Sequence, residues 1–164
     1  MSGCTQVPIA DLKITHSGVF IKDAYKPISE IDQNSTSGRL TTSDPEIVCQ
    51  TDKIPMKLGV TFGIHYKIVG LDKTLIDIPV TVETHHPTIS GYDGKSTEID
   101  VWQSKTSHFE NGGHIGGAMF FFEAEYELVE GDWKIVVQVS EQEVSKTFHV
   151  RKDYELTMTN CHNI

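Results

Sequence analysis

The residues with the most evident chemical capacity are the eight histidines of this 164-residue chain. His85, His86, His108 and His114 fall in or beside segments that read as loops, and imidazoles gathered at one end of a β-structure would suit zinc, copper or nickel. No His-x-x-x-His, His-x-His or Cys-x-x-Cys spacing accompanies them. The expectation is solvated loop histidines, with metal binding as the alternative. Glu123, Glu125 and Glu127 alternate along an apolar run from Phe120 to Leu128, which spaces successive carboxylate-bearing Cα atoms by roughly 6.6 to 7 Å. Glycosidases use carboxyl pairs at comparable separations, but across a substrate cleft. A row on one strand face reads instead as a solvated acidic stripe.

The stretch Asn111-Gly112-Gly113-His114-Ile115-Gly116-Gly117 has the glycine content of a phosphate loop but not its Gly-Lys-Ser/Thr ending, and is expected to be a flexible connection. No Gly-x-Ser-x-Gly elbow is present, so no catalytic residue is assigned. Trp102 follows Ile99 and Val101 but falls on the opposite strand face, with Glu98 and Asp100. Exposed, it would be a stacking platform for a sugar or a peptide; buried, it would pack between sheets. The binding candidates are therefore Trp102, His85 and His86, and no cofactor is expected.

The elements that must position these residues are strands. Val60, Phe62, Ile64, Tyr66 and Ile68 alternate along one face, and Ile76, Ile78, Val80 and Val82 repeat the pattern until Pro87 is expected to stop it. The two runs read as antiparallel neighbours. Phe120 to Leu128 reads as a strand with its glutamates toward water. Glu130, Gly131 and Asp132 turn the chain into Trp133, Ile135, Val137 and Val139, and Val144, Phe148 and Val150 follow, which predicts a three-strand meander. Weaker strands are expected near Val7 to Ile14, Val19 to Ile21 and Ile99 to Trp102, with Asp93-Gly94 as a turn. The one segment of helical composition, Lys22 to Gln33, contains Pro27.

Short strands separated by turns, with no strand-helix-strand alternation, predict an all-β, immunoglobulin-like antiparallel β-sandwich with little or no helix. Residues 1–164 read as a single domain, with a long polar loop at 29–46 and a frayed tail at 157–164. A hydrophobic fraction of 38% with 23% charged residues gives enough apolar material for a core. A net charge of -9 argues against nucleic acid and anionic lipid as partners, and no apolar run is long enough for a transmembrane segment.

Cys4, Cys49 and Cys161 are an odd number without a metal-type pair, which reads as free thiols in a reducing cytoplasm, consistent with the lack of a leader sequence. Ser2, Gly3 and Cys4 nevertheless match the tail of a lipoprotein cleavage site. The alternative is thus a periplasmic or lipid-anchored envelope protein in which Cys49 and Cys161 are left to pair.

The run from Cys49-Gln50-Thr51 through Ile54-Pro55 and Gly59-Val60-Thr61-Phe62-Gly63, His86-Pro87, and Glu127 to Trp133 with its Gly131-x-Trp133 turn resemble a bacterial family of uncharacterised domains of unknown function. The closing Phe148-His149-Val150 looks like that family's terminal hairpin, and the resemblance covers about Gly18 to Val150. It implies a compact β-sandwich and carries no activity. The resulting expectation is a non-catalytic interaction or structural module whose partner is another protein or a cell-envelope component. A small-ligand or metal-binding sandwich using the loop histidines or Trp102 is the second reading, and an unrecognised hydrolase the third.

Overall fold

The computed structural model describes residues 9–21, 46–91, 93–157 and 161. Their strands are β1 (Asp11–Ile21), β2 (Glu46–Cys49), β3 (Lys53–Pro55), β4 (Thr61–Val69), β5 (Ile78–Ser90), β6 (Ser96–Thr106), β7 (Phe109–Glu110), β8 (Gly113–Phe121), β9 (Gly131–Val139) and β10 (Gln142–Arg151). They form two five-stranded sheets, in the orders β2-β1-β4-β8-β7 and β3-β10-β9-β5-β6. Alternation explains the layering: Phe62, Ile64, Tyr66 and Ile68 of β4 turn inward to meet Trp133, Ile135, Val137 and Val139 of β9, and all eight are buried. Phe62 stands 5.3 Å from Phe148 of the opposite sheet, ring centre to ring centre. The Gln142 side chain ties the two sheets together, accepting from Leu12 N–H (2.8 Å) and donating to the Ile9 carbonyl (3.2 Å).

The sandwich is immunoglobulin-like as expected, but several strand readings need correction. β4 and β5 are not neighbours: they lie in different sheets, because the chain crosses between layers after Gly70. The meander reduces to the β9–β10 hairpin, since β8 belongs to the other sheet. The pairing of β3 with β10 is parallel, whereas an antiparallel sandwich was expected. β5 continues through Pro87 to Ser90. Its pairing with β9 ends at His85↔Lys134, and its register with β6 is interrupted between His85 and Ile89, so the missing N–H of Pro87 costs no ladder bond. The glycine-rich stretch is mostly strand rather than flexible connection: Asn111 (φ 49°) and Gly112 (φ 82°) form the tight turn between β7 and β8, a pairing suited to a type I′ hairpin.

The thiols of Cys49 and Cys161 are not free. They form a disulfide, with Cα atoms 4.8 Å apart across a separation of 112 residues, and the bond ties Cys161 to the end of β2. Cys161 also packs against the core. Spacing alone could not reveal this, because the approach of Cys161 to Cys49 is a property of the folded chain. Of the polar loop at 29–46, only Glu46 lies within the described residues, where it opens β2; Cys4 and the Lys22 to Gln33 segment lie outside them.

Candidate functional site

The acidic stripe does not exist as expected. The β8 ladder ends at Phe121, and residues Glu125–Glu127 form a single 3-10 turn with Glu127 fully buried. The Glu127 carboxylate accepts hydrogen bonds from the N–H groups of Glu123 (2.8 Å) and Ala124 (2.9 Å). Glu127 sits three residues after the cap Ala124 and reaches back to its backbone, but Ala124 lacks the hydroxyl by which a capping box is recognised in sequence. We expect Glu127→Ala to cost about 1.5 to 3 kcal/mol in denaturant unfolding, with Glu127→Gln costing less because it keeps one acceptor.

That turn leads into an aromatic hub. The ring of Trp133 lies 5.7 Å from Phe62, 4.7 Å from Phe120, 5.5 Å from Phe122 and 5.1 Å from His86, and its indole N–H donates to the Val129 carbonyl (3.2 Å). Gly131 is required beside it: a Cβ there would stand 2.3 Å from Pro87 Cγ. The segments Gly59-x-x-Phe62, His86-Pro87 and Gly131-x-Trp133, distant in sequence, therefore meet at one point of the core.

His85 and His86 do not act together, because adjacent strand residues face opposite ways. His85 is on the outer face and paired with Glu83 (2.9 Å). His86 is inside, its Nδ1–H donating to the Pro87 carbonyl (2.8 Å) and its Nε2 lying 3.7 Å from Asp100 Oδ2. His114 is not a loop residue either: it is buried in β8, its Nε2 3.1 Å from the Leu75 carbonyl and its ring 5.0 Å from Phe109. His108 is exposed, 3.5 Å from Glu110. Thr106, paired with Ile78 at the start of β5, bonds the Ile115 carbonyl, which puts His114 at that end of the sandwich. His85 lies seven residues further along β5, about 23 Å away at the rise of a strand. The four histidines thus do not converge, and among the described residues no group of three or more His, Cys, Asp or Glu side chains is placed to hold a metal ion.

Trp102 is half-buried and packs against the core, so it is not an open platform. Of the two readings open for Trp102, the structure favours packing between the sheets. Asp100 is buried and Trp102 half-buried on one face, while Ile99 and Val101 are exposed on the other. Sequence reasoning missed Asp100, which register places directly opposite buried Thr84. Row by row across the outer face run Ile99, His85, Lys134 and Thr147, then Val101, Glu83, Val136 and Ser145. Beyond that patch, Asp132 is held below the usual carboxylate range by its hydrogen bond from His149 (2.8 Å), assisted by Arg151 (3.3 Å). Burial pushes the Tyr66 hydroxyl up to about 12, so that side chain stays neutral.

Two sheets closed over one aromatic hub define an immunoglobulin-like β-sandwich. The chain belongs to the family described as domain of unknown function DUF3859, whose model matches residues 9–150. In structure it is similar to an immunoglobulin-like protein from Pseudomonas aeruginosa, with a TM-score of 0.59 and 23% identity over 87% of this chain and 98% of that one. No curated protein matches it. Among the described residues, no helix is long and apolar enough to cross a membrane.

Proposed function

We propose that this domain is a non-catalytic interaction module of an oxidising compartment such as the cell envelope, docking a protein partner on the outer face of β5 and β6. One observation carries the reading. The edge strand β6 turns Ile99 and Val101 outward, 45% and 42% exposed, while Asp100 is buried beneath them. A sheet face open to water ordinarily carries polar residues, so exposed β-branched apolar side chains on the edge strand of the described sheet favour contact with another chain. The Thr97 hydroxyl donates to the Ile99 carbonyl (2.7 Å) and accepts from the Ile99 N–H (3.1 Å). Backbone pairing is thereby discouraged at that point, and recognition falls to the side chains. The net charge of -9 favours a neutral or basic protein surface over a polyanion. The Cys49–Cys161 bond supports the oxidising compartment.

A photo-crosslinking residue at position 101, set beside a control at Ser145, tests this in the cells that make the protein. The expected result is one defined adduct at position 101, lost in Ile99→Glu, with the melting temperature of the Ile99→Glu variant within a few degrees of the parent. Equal labelling at both positions, or no adduct at either, would sink the docking reading.

A further inference from the structure

Thr84, His86 and Asp100 bring three buried polar side chains together on the inner face where β5 meets β6. Thr84 and Asp100 are direct cross-strand partners, 0% and 5% exposed. The Nδ1–H of His86 is committed to the Pro87 carbonyl, which leaves Nε2 as the ring atom facing Asp100. That atom stands 3.7 Å from Asp100 Oδ2, too far for a direct hydrogen bond, and among the described residues neither it nor Thr84 Oγ1 has a hydrogen-bond partner. Buried polar groups left this way are destabilising, and a water bridging a polar contact longer than about 3.5 Å would satisfy them.

We propose that one structural water is bound here, donating to His86 Nε2 and to the Asp100 carboxylate and accepting from the Thr84 hydroxyl. Three polar partners fall within the two to four that hold a buried water in place. A metal ion would find one imidazole, one carboxylate and one hydroxyl, a poorer donor set than such sites use. The water would join the edge strand β6 to β5 from beneath, directly under the residues flanking Asp100. This inference stands whether or not the outer face docks a partner.

A high-resolution crystal structure, with anomalous data, and the melting temperatures of Thr84→Val and Thr84→Ser test it. Expected are a single water peak within hydrogen-bond distance of all three side chains, a fall of about 2 to 8 °C for the isosteric Thr84→Val, and recovery of most of that loss in Thr84→Ser. A dry cavity with Thr84→Val melting higher than the parent would overturn the proposal, because removing an unsatisfied hydroxyl from a dry site stabilises. An anomalous peak at the site would overturn it in favour of a metal.

Discussion

Reducing the Cys49–Cys161 bond, or replacing both residues by serine, is expected to lower the stability of the domain by about 4 to 5 kcal/mol. The bond spans 112 residues, and in the chain-entropy account a closed loop of that order restricts the unfolded ensemble by about 4.7 kcal/mol at 25 °C. For a domain of this size the loss corresponds to a fall in melting temperature of roughly 10 to 20 °C. Thermal unfolding with and without a reductant measures it, with the double serine variant as a control that should be insensitive to reductant. Coincident transitions for oxidised and reduced protein would show that the tie contributes nothing. Gly18 belongs to the same construction, because a Cβ there would lie 1.9 Å from the Cys49 carbonyl oxygen, so the β1–β2 approach that presents Cys49 depends on that small residue.

Trp133→Ala is expected to cost about 3 to 5 kcal/mol, the range for removing a fully buried large aromatic side chain. The ring is 0% exposed and contacts Phe62, Phe120, Phe122 and His86, so truncation opens a cavity between the sheets rather than at their rim. It also orphans the Val129 carbonyl that receives the indole N–H. Trp133→Phe should recover much of the loss by refilling the volume, though not that hydrogen bond. Denaturant unfolding at equal m-values gives the comparison, and a Trp133→Ala midpoint equal to the parent's would contradict the hub. Near-ultraviolet circular dichroism should change with it, as the ring loses its fixed surroundings.

Much of the fold was legible from period-two patterning. The clearest strand, from Val60 to Ile68, corresponds to β4 (Thr61–Val69), and the Trp133 to Val139 alternation corresponds to β9. Patterning failed where a different interaction took over. Phe120 to Leu128 alternates as a strand would, yet a buried glutamate satisfying two backbone N–H groups converts its second half into a turn. Pro87 is a strand breaker only where a ladder bond is due, and both neighbours of β5 had already released it. For β6, alternation separated Trp102 from Ile99 and Val101 correctly but could not say which set faced the core.

The chain's own order of residues was sufficient for the class of fold and for the material of the core, because a strand's two faces are written in every second side chain and burial follows hydrophobicity. Contacts between residues far apart in sequence came only with folding. The meeting of Phe62, His86 and Trp133, the pairing of Cys49 with Cys161, the burial of Asp100 beside Thr84 and the outward turn of Ile99 and Val101 all depend on which strands become neighbours. The β9–β10 hairpin follows from local patterning, but the other neighbour choices depend on both sheets at once.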